Sequence, residues 1–529
     1  MAQEEVTLER SLDNAANVLR SKMDANEYKN YTLGTIFYKY LSDSMLYYVA
    51  ELLEEKNISL EEAQKLYEEN QDDQYLIEEL DIKFNYVIEA KNTYTNILKS
   101  INNHTFQVSQ LGDAFNSIES QGKEFEGLFD DYDLYSKRLG NTAQKQSDTI
   151  SEVLSAIGKL EIVKTPEDTL GNAYEYLIKQ FASESGKKAG EFYTPQKVSR
   201  LLARLTLVDK DYTDGMTVYD PTMGSGSLLL NFRKYVEHPK RITYFGQEIN
   251  TSTYNLARMN MILHHVDVVN QKLRNNDTLD EDWPVEEITN FDAVVMNPPY
   301  SQKWSANAGF KDDPRFSAYG VLPPKSKADY AFLLHGYYHL KHSGVMAIVL
   351  PHGILFRGAA EGKIRKKLLE NGAIDAVIGL PANLFYNTSI PTTIVVLKKD
   401  KQDRDVLFID ASKDFEKVKT QNELRDEDVE KILTTYKECK DIDKYAHLAS
   451  FDEIKENEFN LNIPRYVDTF EPEPEINLDE VSKELRETNE KIKANETELI
   501  SMLKDLTSED EKIMKGLNDF ISVLEEDVK

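Results

Sequence analysis

An α/β segment built on a mostly parallel sheet, preceded by an all-helical segment and followed by a helical tail, is the architecture that this sequence predicts. Three observations carry it. From about residue 186, short β-rich runs at 216–219, 242–245, 293–296, 344–350, 373–378 and 392–397 alternate with helical patterns and end on Gly or Pro. Such alternation implies a sheet covered on both faces by helices. Residues 7 to about 160 contain no Pro, the first being Pro166, and read as helices. Beyond about residue 470, two prolines among acidic residues lead into a heptad pattern. The expected domains are 1–165, 166–470 and 471–529, which suits 529 residues at about 100–200 residues per domain.

In the first segment Leu8, Leu12, Ala15, Ala16, Leu19 and Met23 recur at spacings of three and four, on one helix face. Acidic and polar stretches such as 68–73 are expected to separate successive helices. In the tail, Glu471-Pro472-Glu473-Pro474-Glu475 reads as a linker. Leu478, Val481, Leu485, Thr488, Ile492, Asn495, Leu499, Met502 and Leu506 then alternate by three and four, a coiled-coil seam with two polar breaks. Ile513, Leu517, Phe520 and Leu524 form a second amphipathic stretch. The seam either folds back on its own domain or faces a partner. The partner reading is preferred, because a heptad pattern beyond a linker has to bury its apolar stripe somewhere.

Composition narrows the class. Hydrophobic residues make up 40% and charged residues 29%, enough for a large core in a soluble protein. No apolar run approaches the roughly 18 residues of a membrane helix. The acidic start Met1-Ala2-Gln3-Glu4-Glu5 has no apolar core of a signal peptide. Cys439 is the single cysteine, so neither an internal disulfide nor a cysteine zinc cage can form, and a cytoplasmic protein is expected. The net charge of −29 argues against unaided DNA binding, which relies on Lys and Arg. Residues 166–400, however, hold 27 Lys and Arg against 26 Asp and Glu, so the rest of the chain carries −30. Basic residues cluster at Lys325 and Lys327, and again at Lys363, Arg365, Lys366 and Lys367, the latter read as a solvated helix face. A partner is expected to supply most of the phosphate contacts.

The first chemical motif is Asp220-Pro221-Thr222-Met223-Gly224-Ser225-Gly226-Ser227, between a strand and a helix start. Glycines admit a ligand close to the backbone, and a helix N-terminus offers N–H groups. Taken alone, Gly-x-Gly is as readily a tight turn. Here Asp220 stands at the strand end and Glu248 lies 22 residues beyond Gly226, at the tip of the next strand. An acidic residue so placed can accept the two ribose hydroxyls of a nucleoside. No Gly-x-Gly-x-x-Gly is present, which disfavours a nicotinamide dinucleotide. Asp277, before the following strand, is either a hydrogen-bond acceptor for an adenine amine or a turn-capping aspartate.

Asn297-Pro298-Pro299-Tyr300 directly follows the apolar strand 291–296. The prolines lack N–H groups and hold the chain extended. The Asn297 amide oxygen and the Pro298 carbonyl can then both accept from one amine. Two acceptors on the hydrogens of an aromatic amine draw its delocalised lone pair back onto nitrogen. Tyr300 offers a flat face to an extruded base. A proline turn with a half-buried tyrosine is the plain alternative.

In this order, the glycine loop, acidic strand tip, aspartate and Asn-Pro-Pro-Tyr resemble the amino-methyltransferases of DNA. Glu191-Phe192-Tyr193-Thr194-Pro195 is similar to the segment that closes over the methionine end of S-adenosylmethionine in that family. Four further stretches resemble type I restriction–modification methylation subunits: Leu12 to Arg20 with Glu27-Tyr28-Lys29, Ile36 to Asp43, Asn387 to Thr393, and Phe459 to Tyr466. The resemblance spans about residues 7–470. Thr222, where the family often has cysteine or alanine, is a neutral departure.

The resemblance implies a mixed seven-stranded Rossmann-like sheet and N6 methylation of adenine. It implies a specificity subunit that reads double-stranded DNA, a second copy of the modification subunit, and a restriction subunit. It assigns Asp220, Thr222, Gly224, Ser225 and Gly226 to the amino-acid part of the cofactor, Glu248 to its ribose and Asp277 to its adenine. Glu191, Phe192, Tyr193, Thr194 and Pro195 line its methionine end. Asn297, Pro298, Pro299 and Tyr300 meet the target, and no metal is required. The cofactor site is expected to lie wholly within about residues 190–300. A protein-glutamine methyltransferase and a non-catalytic assembly subunit are the alternatives.

Overall fold

The helical segment is organised around α1 (Ala25–Leu52), whose buried face runs through Leu33, Phe37, Leu41 and Met45. The computed structural model describes residues 8–9, 12–13, 16–55, 57–163, 169–185, 193–280, 283–284, 290–386, 388–419, 421–469 and 477–528. Around α1 pack α2 (Leu60–Asn70), α3 (Gln74–Phe84), α4 (Tyr94–Asn102), α6 (Ala143–Gly158) and α7 (Thr169–Ser185), with α5 (Val108–Glu119) against α6. Ser59 starts α2 through a reciprocal pair: its Oγ accepts from Glu62 N at 3.2 Å, and Glu62 Oε2 accepts from Ser59 N at 2.8 Å. That helix continues to Asn70, so the expected break at 68–73 narrows to 71–73. Leu8, Leu12, Ala16, Leu19 and Met23 are buried as their spacing predicts; Ala15 lies outside the described residues.

Within α1, Lys39 and Asp43 form an ion pair of 2.5 Å, each 2% exposed. Burial pushes the Asp43 carboxyl up to about 6, against the pull of Lys39.

After α8 (Gln196–Leu207) the chain enters the sheet. Its strands are β1 (Met216–Asp220), β2 (Ile242–Glu248), β3 (Gln271–Asn275), β4 (Phe291–Met296), β5 (Leu340–Pro351), β6 (Ile374–Gly379), β7 (Thr392–Lys398), β8 (Val406–Asp410) and β11 (Ala446–Ala449). Their order is β11-β8-β6-β7-β5-β4-β1-β2-β3. Strands β3, β2, β1, β4 and β5 run parallel, while β7 is antiparallel to both β5 and β6. The seven expected strands are therefore present as a mixed sheet. Two more lengthen it, because Val406–Asp410 pairs in parallel with β6 and Ala446–Ala449 closes that edge antiparallel. A separate hairpin, β9 (Glu416–Val418) and β10 (Gln421–Glu423), stands apart.

Chain order reverses between β1 and β4: from β1 the chain builds outward to β2 and β3, then returns to β4 on the other side. Ligands in open α/β sheets bind beyond the carboxyl ends at such a point. Helix α10 (Thr251–Leu263), capped by Asn250 through its bond from Thr253 N (2.9 Å), joins the two segments. Its Leu256, Met259 and Leu263 belong to the core of the helical segment.

The chain divides into two compact units, 1–468 and 469–529. The second contains a long helix, α15 (Leu478–Lys504), and α16 (Glu511–Val528), joined by a Lys504–Glu525 ion pair of 2.5 Å. The Pro/Glu linker lies outside the described residues. Ile500 and Ile521 are buried, whereas the predicted seam is not: Val481 is 48% exposed, Leu485 60% and Met502 64%. No helix among the described residues is long and apolar enough to cross a membrane.

Candidate active site

A cavity of about 600 Å³ opens at the carboxyl ends of β1, β2 and β4. Strand β1 delivers Asp220 to its wall, and the turn that follows folds onto that side chain. Asp220 Oδ1 accepts from Thr222 N at 2.9 Å and from Thr222 Oγ1 at 3.3 Å. Gly224 (φ +55°) and Gly226 (φ +78°) take left-handed backbone, and a Cβ on Gly224 would meet nothing within 4 Å, so the loop is open to a ligand there. Glu248, ending β2, ties loop and helix together: Oε2 accepts from Gly224 N at 3.1 Å and Oε1 from Asn250 N at 2.8 Å. Asp277 makes the turn bond, its Oδ1 accepting from Leu279 N at 2.9 Å, and it also lines the cavity.

Asn297 follows β4 and is 7% exposed. Its amide is held by two side chains: Nδ2 donates to Thr194 Oγ1 at 3.0 Å, and Oδ1 accepts from Tyr300 Oη at 2.6 Å. The Tyr300 ring stands edge-on to Phe385, centroids 6.2 Å apart. Burial raises the Tyr300 phenol well above its ordinary range, so it keeps its proton for that bond. Complete burial, reinforced by nearby Glu248, pushes Asp220 up to about 8 against the lowering effect of its bonds from Thr222. Near neutral pH that carboxyl is largely protonated in the ligand-free chain.

Of the residues singled out from the sequence, Tyr193, Thr194, Asp220, Thr222, Gly224, Ser225, Glu248, Asp277, Asn297, Pro299 and Tyr300 line this one cavity. Pro195, Gly226 and Pro298 are not among the lining residues, though each adjoins one that is, and Glu191 and Phe192 lie outside the described residues.

The site is not confined to residues 190–300. Lys29 and Leu33 of α1, and Ile178 and Phe181 of α7, line it because those helices pack on α10, immediately after Glu248. Trp304 and Phe332 complete the far side. Trp304 carried a readable signal, being one of two tryptophans and only four residues past Tyr300. The second basic cluster also divides. Lys363, Lys366 and Lys367 are exposed, but Arg365 is buried and donates to the carbonyls of Ile354 (3.0 Å), Arg357 (2.9 Å) and Phe459 (2.8 Å).

Comparison with known proteins adds to this geometry. Residues 165–475 match the family described as N-6 DNA Methylase, and residues 8–157 match the HsdM N-terminal domain. The chain is 36% identical to the type I restriction enzyme MpnII methylase subunit of Mycoplasma pneumoniae, over 94% of this chain and 96% of that one. It is 32% identical to the MjaVIII methylase subunit of Methanocaldococcus jannaschii, over 90% and 80%. Among solved structures, a type I restriction-modification methyltransferase subunit from Streptococcus thermophilus is 59% identical, with a TM-score of 0.86 over 88% of this chain and all of that one.

Proposed function

The chain belongs to the N-6 DNA methylase family, as a type I restriction-modification methylase subunit, and from that premise we propose how its cavity serves methyl transfer to adenine N6. One observation carries the reading. Asn297, with its amide oriented from both ends, shares a single cavity with Asp220, Glu248 and Asp277.

S-adenosylmethionine, when bound, supplies a methyl group on cationic sulfur. Asp220 and the open backbone at Gly224 and Ser225 hold its amino-acid end. Glu248 accepts the ribose hydroxyls, and Asp277 accepts from the adenine amine. Tyr193 and Thr194 close the methionine end, in the segment to which the resemblance also assigns Glu191, Phe192 and Pro195. On the other side, Asn297 Oδ1 and the Pro298 carbonyl accept the two hydrogens of the target amine. An amide oxygen has two lone pairs, so Asn297 can take this bond beside the one from Tyr300. The Tyr300 ring stacks on the flipped base, and Trp304 and Phe332 keep water from the far side. An amide takes up no proton, so the proton leaves to water after transfer. The Asn-Pro-Pro-Tyr geometry would accept a glutamine amide too; family membership favours DNA.

In the domain reading, 1–165 and 166–470 build this site together, and 471–529 assembles. The exposed seam at Val481, Leu485, Ile492, Leu499 and Met502 is an aggregation liability unless covered. It packs on a specificity subunit that reads double-stranded DNA, with two copies of this chain flanking one reader and a restriction subunit joining the complex. The test is methylation of DNA by the chain with and without the specificity subunit, followed by nucleoside analysis. N6-methyladenine that requires both chains supports the reading; methyl transfer only to protein overturns it. Deleting 476–529 is expected to weaken the complex in gel filtration and leave cofactor binding intact. An undiminished two-to-one complex would remove the tail from docking.

A further inference from the structure

We propose that Arg315 is a positioning residue for the cofactor's adenine, holding the turn that carries Asp277 and joining it to the aromatic wall on the target side. This rests on the assignment of Asp277 to that adenine.

Arg315 lies between Asn-Pro-Pro-Tyr and α11 (Asp329–Tyr338) and is 2% exposed. A buried charge persists only when paired and hydrogen-bonded. Here every N–H of the guanidinium has a partner. Nε donates to Asp313 at 3.1 Å, Nη2 to Asp313 Oδ2 at 2.7 Å and to the Leu279 carbonyl at 3.2 Å. Nη1 donates to the Thr278 carbonyl at 3.0 Å and to His335 Nδ1 at 3.1 Å. Thr278 and Leu279 are the two residues that follow Asp277.

The remaining contact sets a direction. A guanidinium only donates, so Nδ1 is the unprotonated nitrogen of His335 and Nε2 carries the hydrogen. Burial, reinforced by the neighbouring His339 and Arg315, holds His335 well below its ordinary range, in keeping with a neutral ring. His335 Nε2 then donates to Tyr219 Oη at 2.8 Å, and Tyr219 to Gln247 Oε1 at 2.5 Å. Gln247 Nε2 donates to Asn276 Oδ1 at 2.9 Å. The chain of bonds leaves Arg315 at Thr278 and Leu279 and returns at Asn276, so Asp277 is bracketed from both sides.

The guanidinium also lies over Phe316 at 5.2 Å and Phe310 at 6.0 Å. Both rings pack on Trp304, at 5.5 and 5.2 Å, and Trp304 lines the cavity. One side chain thus links the adenine turn to the wall beyond Tyr300. Fully satisfied polar networks of this kind fix a single arrangement.

The test is calorimetry on the full chain with S-adenosylhomocysteine and with its inosine counterpart, which lacks the exocyclic amine. Arg315→Met is expected to weaken the adenosyl ligand by about tenfold and the inosyl ligand by far less. Arg315→Lys should recover part of the difference through a bond to Thr278 or Leu279. Tyr219→Phe keeps the ring and removes one hydroxyl, so it reads the same link even where Arg315→Met does not fold; a selective loss of about threefold is expected. Equal loss for both ligands, or none, in Arg315→Lys and Tyr219→Phe overturns the inference. A wild-type chain that does not distinguish the two ligands instead overturns the role of Asp277 beneath it.

Discussion

On one side of the cavity Asp220, Glu248 and Asp277 are each held by backbone N–H groups, from Thr222, Gly224, Asn250 and Leu279. On the other, Asn297 is held by two side chains, Thr194 and Tyr300, one of them 103 residues away. The first arrangement is stiff and built of carboxyl groups, suited to holding a cation and its sugar. The second is neutral: amide, phenol and aromatic rings, suited to drawing electron density toward an amine without taking its proton. Binding and transfer should therefore separate when the two sides are altered individually.

The largest expected effect is on the neutral side. Asn297→Ala removes the acceptor and leaves the carboxylates in place. Methylation at saturating cofactor should fall by about 10²–10³-fold or more, by analogy with removal of one preorganised polar group from other active sites. Cofactor affinity, read by calorimetry, should stay close to wild type. Normal turnover by this variant would end the assignment of roles to the two sides.

Glu248→Ala probes the opposite side. It removes the carboxylate read as the ribose partner and the bonds that tie Gly224 to Asn250, so cofactor affinity should drop by about 10- to 100-fold. Turnover at saturating cofactor should change far less. A variant with unaltered affinity and lowered turnover would invert the comparison.

The same contrast explains what the sequence disclosed. Backbone-held groups are encoded locally: Asp220, the left-handed Gly224 and Gly226, Glu248 and Asp277 were legible from spacing within one stretch of chain. Asn-Pro-Pro-Tyr was legible because two prolines fix their own backbone. Lys29, Leu33, Ile178 and Phe181 were not, since they reach the cavity only through packing of α1 and α7 on α10. Arg315 was hidden for the same reason. Strand β3, Gln271-Lys272-Leu273-Arg274-Asn275, escaped because it is an edge strand with one apolar residue. Strand β8 is a four-residue apolar run whose parallel partner, β6, precedes it by about thirty positions. In the tail the heptad pattern was legible, but the buried apolar residues are Ile500 and Ile521, off that seam, and the predicted stripe is exposed.

Tyr300→Phe sharpens the comparison within the neutral side. The ring and its contact with Phe385 remain, and the bond to Asn297 Oδ1 is lost. Turnover should fall by about tenfold or less, the worth of one hydrogen bond that orients a reacting group. Cofactor affinity should be unmoved. A Tyr300→Phe variant as slow as Asn297→Ala would mean that the hydroxyl, and not the stacking face, is the principal contribution of this residue.

The last expected effect is a pH dependence specific to the charged side. Burial raises the Asp220 carboxyl from 3.8 to about 8. A carboxyl raised in this way contributes stability that is fully present below about 3.8 and is lost as pH rises through about 8, so the ligand-free chain should weaken toward alkaline pH. A cationic ligand pairs with the carboxylate and must displace the proton when the pH is below that value. Affinity for the cofactor should therefore climb between about pH 6 and 8, by at most about tenfold per unit, and level off above. Calorimetry in two buffers of different ionisation enthalpy should register release of about one proton per ligand near pH 6.5, about half near pH 8 and almost none above about pH 9. Asp220→Asn should flatten the profile, while Asn297→Ala should leave it unchanged, because the amide carries no titrating group. A flat wild-type profile would show that Asp220 does not meet the cation, and the charged side would then rest on Glu248 and Asp277 alone.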